Sequence, residues 1–473
     1  MPPLGRYCGF GMALAFPIPK APGRSTNGIG NREVVLFVHR RAQFGAAAIV
    51  LACLSAGTVT GAPARGRVEL GVSADKAEVT IGCLYPMTGR AAIYGRDSVA
   101  GIRLALSDLA AEGGYPRIRV IVDDDRSKAS FAVRLAEDYI AHDKAKFLCG
   151  MVSSGVAQAV SKVAMKHRVV MIGTDHASSR LTIEGLHPYY FRVSNDSYIS
   201  MAAGARYLAQ IQAKTKWKRI AFIGPDYDYG HVSWSDFRSS LDRLGVSYEV
   251  VGTFWPKLYE PDYSTYIQAL RKSEPDIVVT ALWGGDFVAF LNQAQTTDFF
   301  ENSRLANFDT GGNYEVMLAL GTNPPKGLIL SARHHNNWPN TEQNRRFVNA
   351  FHEMEGRYPT YAAEGAYSGI MAAAKAVVKA GGAKDPDALV RALENLELKL
   401  PEDPEGFSSF IDPDTHQIVQ AQAVGEVVPD TSFPPAKVML GNWTVFRAED
   451  LRPPPELVRS RRAKAAEAVE MSE

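Results

Sequence analysis

From residue 78 onward the chain alternates short β-branched runs with amphipathic stretches, and that rhythm limits the fold to parallel sheets covered by helices. Residues 78–85 (EVTIGCLY) read as a first strand, Ile102, Ala105, Leu106 and Leu109 recur at helical spacing, and Gly113-Gly114 stop that helix before a strand at 117–122. The unit repeats with a helix marked by Phe131, Leu135 and Tyr139, a strand at 146–149, a helix at 156–165 and a strand at 169–172. A second series follows Tyr190-Phe191-Arg192-Val193: helix 199–211, strand 219–223, helix 232–244, strand 247–254, helix 263–271 and strand 276–282. Two such series in tandem predict two doubly wound α/β lobes joined by a hinge, with the functional site at the carboxyl ends of the strands, between the lobes. After the run 327–330 come helices at 341–354 and 361–379, too few strands for a third sheet, so they are expected to complete the first lobe. The resulting boundaries are 78–195 plus about 334–405 for lobe 1, 196–333 plus about 406–447 for lobe 2, and a C-terminal tail at 448–473. The tail opens with Pro453-Pro454-Pro455 and mixes charges, which predicts a solvated, loosely docked helix.

Composition excludes several function classes. The balance of 52 Lys and Arg against 51 Asp and Glu gives no electrostatic case for a nucleic-acid partner, and four Cys in 473 residues are too few for a disulfide scaffold. The near-neutral total hides a basic N-terminal segment. Residues 1–64 carry six basic residues and one acidic, Glu33, which leaves the remainder at −4.

That segment reads as a leader. His39-Arg40-Arg41 precede an apolar stretch at about 44–54, too short to span a bilayer, and Ala62-Pro63-Ala64 has the outline of a cleavage site. A secretory signal and a periplasmic destination follow. Cys53 at the end of Val50-Leu51-Ala52 offers the less favoured alternative of lipoprotein anchoring, and the Pro- and Gly-rich stretch before Val34 suggests an over-extended start. Gly28-Ile29-Gly30 lacks a preceding strand and is not a dinucleotide loop.

The strand-end loops carry the function. Tyr85-Pro86-Met87-Thr88-Gly89-Arg90-Ala91-Ala92-Ile93-Tyr94-Gly95 ends in an aromatic at the mouth of a helix, and Ser154-Gly155 open another helix with a hydroxyl and free backbone N–H groups, a cradle for a carboxylate as well as a cap. Tyr94, Tyr229 and Trp283 lie at the ends of three different strands, where one cleft would gather them as apolar walls with polar tips. YPMTGRAAIYG, the GMVSSGVAQAV loop, IAFIGPDYDYG and DIVVTALWGGDFVAFLNQA, in this order over roughly residues 78–447, resemble the leucine/isoleucine/valine-binding family of ABC-transporter solute-binding proteins.

The resemblance implies a type I periplasmic binding fold, a monomer that closes over a small solute and hands it to membrane permease subunits, with no cofactor, no metal and no catalysis. It implies that Ser154 holds the ligand carboxylate, that Tyr94, Tyr229 and Trp283 contact its side chain or ammonium, and that Asp309 receives the α-ammonium. The chain departs from the family in Gly173-Thr174-Asp175-His176-Ala177, where Ala177 stands in place of a threonine that helps hold the amino group. With Asp175 and His176 beside it, this leaves open a small amino acid, an amide or an aromatic carboxylate. His176 is either a ligand donor or a solvent-facing loop residue, and its position favours the first.

Two further readings compete with this one. A ligand-sensing receptor of the same fold lacks a transmembrane segment after the globular part. An enzyme lacks a GxSxG elbow, a phosphate loop and metal-spaced ligands: His334-His335 are adjacent, beside Asn336-Asn337, as in a surface loop, and Asp123-Asp124-Asp125 are expected to cap the next helix. Cys83 and Cys149 fall on neighbouring strands of an oxidised protein, but the strict geometry of a cross-strand bridge favours two buried thiols.

Overall fold

A computed structural model describes residues 66–471; the expected leader and Cys53 lie outside the described residues. The first half of the chain runs β1 (Val68–Gly71), β2 (Val79–Tyr85), α1 (Ala92–Glu112), β3 (Ile118–Asp124), α2 (Ala129–Ala141), β4 (Phe147–Gly150), α3 (Ser154–His167), β5 (Val170–Gly173) and β6 (Tyr190–Arg192). These strands form one six-stranded sheet in the order β1-β3-β2-β4-β5-β6, parallel except for β1. Its strands are apolar on both faces because both are covered: Leu84, Ile121, Leu148 and Met171 pack under α2 and α3, while Ile81, Val122 and Ile172 join the larger core on the other side.

The chain then crosses over. Asp196 caps α4 (Ser197–Thr215) by accepting from the Ile199 N–H, and there follow β7 (Arg219–Ile223), α5 (Asp228–Arg243), β8 (Glu249–Phe254), α6 (Ser264–Ser273), β9 (Ile277–Thr280), α7 (Gly284–Ala294), α8 (Phe299–Asn302), β10 (Arg304–Asn307), α9 (Tyr314–Leu320) and β11 (Leu328–Leu330). It returns with α10 (Glu342–Glu355), α11 (Tyr361–Lys379) and α12 (Pro386–Leu393), makes β12 (Glu397–Leu398), β13 (Ser409–Ile411) and β14 (Ile418–Val419), and ends with β15 (Gln422–Pro429), β16 (Val438–Phe446), α13 (Ala448–Leu451) and α14 (Pro455–Glu470). The second sheet has the order β16-β15-β11-β10-β9-β7-β8, with β15 and β16 antiparallel. The fold is two doubly wound α/β lobes.

α11 returns to the first lobe and lies against α1 so closely that a Cβ at Gly101 would overlap the Ala363 carbonyl oxygen. The segments that pass between the lobes are tied to one another: the Asn195 side-chain amide donates to the Ala421 carbonyl, Gln417 to Ser194, and Ser331 to Ala423. They form the connection between the lobes.

Several expectations need correction. A third sheet does exist: β12, β13 and β14 form a small antiparallel sheet, and the lobe boundary expected near 405 falls between the paired strands β12 and β13. Its neighbour His416 accepts from the Arg192 N–H at the edge of the first sheet, so the crossing lies nearer 420. Cys83 and Cys149 are not free thiols. The parallel register of β2 and β4 sets them opposite each other with Cα atoms 4.4 Å apart, and their sulfurs are bonded.

The tail helix is not loosely docked either. Arg461 on α14 bonds Glu184 of the first lobe through two nitrogens at 2.9 Å and Asp236 on α5 of the second at 2.9 Å, while Arg462 donates to the carbonyls of Ile183 and Asp414. His334 and His335 are buried rather than on a surface loop, with His334 Nε2 2.8 Å from Asn344 Oδ1. The three aspartates diverge, as their spacing requires, but they do not cap α2: Asp123 pairs with Arg67, Asp124 accepts from the Met87 N–H and the Thr88 hydroxyl, and Asp125 accepts from the Ser127 N–H.

Candidate functional site

Parallel strands deliver their C-terminal loops to one edge of the sheet, and here both sheets turn that edge toward the cleft. Val152 and Ser154 follow β4, Ala177 follows β5, Tyr227 and Tyr229 follow β7, Trp283 follows β9, Arg333 follows β11, and Tyr361 opens α11. These eight residues, drawn from both lobes, line a narrow space of about 10 Å3, the room of one water-sized sphere. Larger grooves lie elsewhere, including one of about 560 Å3 along α5, lined by Trp234 and by Trp255 just after β8.

The positive end of α3 faces this space. Its N-cap is Ser153, whose side chain makes no capping bond, so Ser154 is the first helical residue and not the cap that its sequence suggests. Ser154 Oγ accepts from the Ser178 N–H at 3.2 Å, which leaves its own proton to donate. An uncapped helix start with a hydroxyl beside it suits a carboxylate.

The opposite wall is aromatic. Trp283 donates its indole N–H to the Tyr227 hydroxyl at 3.2 Å, and Tyr361 lies under the Arg333 guanidinium, whose carbon is 4.5 Å from the ring centroid. Arg333 was not singled out from sequence. It is buried, and it pairs with Asp309 through Nε at 2.9 Å and Nη2 at 2.6 Å while Nη1 bonds the carbonyl of Asp175. Asp309 also accepts from the Ser200 hydroxyl at 3.0 Å and the Tyr229 hydroxyl at 2.6 Å. Burial alone would raise its carboxyl, but the Arg333 guanidinium and these hydrogen bonds outweigh burial and hold it below the usual range.

Of the residues singled out from sequence, Ser154, Ala177, Tyr229 and Trp283 line the space, whereas Tyr94, Asp175, His176 and Asp309 stand behind the wall. Tyr94 bridges the lobes: from α1 its hydroxyl donates to Glu315 Oε1 on α9 at 2.6 Å, and its ring stacks on Tyr361 with centroids 5.4 Å apart. Asp175 has one oxygen 3.4 Å from Arg333 Nη1 and the other without a partner; burial pushes its carboxyl up to about 7.

His176 does not line this space, contrary to expectation. Its Nδ1 lies 3.0 Å from the Met151 carbonyl oxygen and its Nε2 2.7 Å from the Tyr190 hydroxyl. The carbonyl requires Nδ1–H, so Nε2 accepts from Tyr190, whose oxygen in turn accepts from Arg192. Burial and the Arg192 charge hold the ring neutral, with its pKa well below the usual value.

Comparison with known proteins agrees with this architecture. A periplasmic binding protein family profile matches residues 78–432. The Leu/Ile/Val-binding protein BraC3 of Rhizobium johnstonii is 25% identical over 324 residues, covering 67% of this chain and 84% of that one. Among solved structures, a periplasmic binding protein from Burkholderia mallei superposes with a TM-score of 0.73 at 21% identity, covering 81% of this chain and 98% of the other. A solute-binding protein of an ABC transporter from Rhodopseudomonas palustris, in complex with 3,4-dihydroxybenzoic acid, gives 0.68 at 22% identity, covering 78% and 97%. With two lobes meeting over strand-end loops and a family match across most of its length, this chain belongs to the periplasmic binding protein family, with the type I fold.

Proposed function

We propose that the protein is the extracytoplasmic solute-binding component of an ABC importer, which takes a small carboxylate-bearing solute between its lobes and presents the closed form to a membrane permease. One observation carries this reading: the uncapped start of α3 and the Ser154 hydroxyl face an aromatic wall contributed by both lobes across the same small space. Closure is a hinge-type population shift toward the liganded state, and the role is binding without turnover. The relatives bracket the ligand class, since one is named for leucine, isoleucine and valine and another was solved with a dihydroxybenzoic acid. The leader at residues 1–64 carries the chain to the periplasm, where it acts as a monomer. Among the described residues no helix is long and apolar enough to cross a membrane.

The test is a thermal-shift screen of the chain from Arg65 onward against amino acids, amides and carboxylic acids. A ligand at about 100 times its Kd stabilises the folded state by about 2.7 kcal/mol. The reading expects a hit that Trp283→Ala abolishes; no shift with any small carboxylate would refute it.

A further inference from the structure

β10 and β11 are neighbours in the second sheet, with Asn307 opposite Leu330, so the residues just beyond their carboxyl ends, Asp309 and Arg333, are brought within reach of each other. The result is an acid with nothing left to offer. Asp309 Oδ1 accepts from Ser200 and Arg333 Nε, and Oδ2 accepts from Tyr229 and Arg333 Nη2, which fills the four lone-pair directions of a carboxylate. A ligand ammonium brings three donors and requires acceptors for them. At the residue expected to supply those acceptors, the protein has placed a cation of its own.

The walls reinforce the point. Of the eight residues lining the space, Arg333 alone is charged, and Ser154, Tyr229, Trp283 and Tyr361 stand at the positive starts of α3, α5, α7 and α11. Asp175 and Glu315 each keep one buried carboxyl oxygen without a partner, but neither lines the space. An ammonium inside would face a guanidinium and a helix N-terminus, with no unpaired acid on the wall. We infer that Arg333 is a specificity-determining residue, which selects carboxylic acids lacking an α-ammonium group and rejects the amino acids of the same skeleton. The inference rests on the solute-binding reading above and narrows its ligand class.

Matched pairs test it by calorimetry on the mature protein: 3-phenylpropanoate against phenylalanine, and 4-methylpentanoate against leucine. Where the screen returns a different acid, that acid is compared with its α-amino analogue. The acid without the ammonium is expected to bind tighter by about 100-fold or more, the scale of like-charge exclusion at a desolvated site. Arg333→Met frees Asp309 and is expected to shift the ratio at least about tenfold toward the amino acid. If that variant fails to fold, the neutral pair Arg333→Gln with Asp309→Asn replaces it and is expected to lose the discrimination. An amino acid that binds wild type as tightly as its deaminated partner overturns the inference while leaving the solute-binding role intact. A ratio unmoved in the folded variant also overturns it, and silence with every acid and amino acid removes both readings together.

Discussion

Arg461→Ala measures how firmly the C-terminal helix holds the two lobes. The guanidinium is 18% exposed and meets Asp236, whose side chain is 2% exposed, and Glu184, which is 24% exposed. Breaking a buried pair costs about 3–5 kcal/mol, because the partner charge is left uncompensated. Glu184 recovers hydration at this depth, and the Asp236 oxygen Oδ2 keeps the Ser179 and Ser197 hydroxyls at 2.8 and 2.7 Å, so the expected loss is nearer about 2–3 kcal/mol. The loss has a pH signature. Burial already pushes the Asp236 carboxyl up to about 6 against the pull of Arg461, so removing the arginine pushes it higher. A carboxyl raised above its unfolded value stabilises at low pH and loses that contribution as pH rises through the folded value. The variant is therefore expected to be more defective at pH 8 than at pH 5 in urea unfolding, and adding Asp236→Asn is expected to restore part of the loss at pH 8. A change below about 0.5 kcal/mol at both pH values, the scale of an exposed pair, would refute the reasoning and leave the helix loosely docked.

Reduction of Cys83–Cys149, which spans 66 residues, is expected to lower stability by about 4 kcal/mol, read as a shifted urea midpoint with and without dithiothreitol. Glu315 is pushed from 4.5 up to about 7 by burial, so its contribution is complete below the unfolded value and is lost as pH rises through 7. Glu315→Gln keeps an acceptor for the Tyr94 hydroxyl and is expected to flatten the fall in Tm between pH 5 and 8, with up to about 3 kcal/mol recovered at the upper end. Gly101→Ala drives a methyl into the Ala363 carbonyl and is expected to cost about 1–3 kcal/mol in the same unfolding assay, as α1 and α11 are forced apart.

Most of the two parallel sheets was legible because strands buried on both faces read as continuous apolar runs, as in Ile220 to Ile223 or Ile277 to Val279. β1, β10 and β12 to β16 were not: β1, β10 and β12 to β14 are four residues or fewer, and the β15–β16 pair docks antiparallel on β11, far earlier in sequence, which no local period records. Of the aromatics that line the space, Tyr229 and Trp283 were singled out from their place at strand ends, whereas Tyr227 and Tyr361 were not, and Tyr94 stands behind the wall. Arg333 was missed because it precedes His334-His335-Asn336-Asn337, a polar run that looks like a loop; the signal was available in the strand Leu328–Leu330, whose end sets the next residues at the cleft edge. His176 misled for a related reason, since loop position fixes where a Cα lies but not which way its ring turns. The disulfide was a question of register, decided by Cys83 standing opposite Cys149.

The most direct test of the central claim, that a small acid is held between the lobes at the start of α3, is a crystal structure with the ligand found by screening. The account predicts a carboxylate about 2.7–3.2 Å from Ser154 Oγ or the first free N–H groups of α3, with the rest of the molecule against Trp283, Tyr229 and Tyr361. A ligand seated in the groove beside Trp234 and Trp255, or one in the cleft whose carboxylate turns away from Ser154, would contradict it.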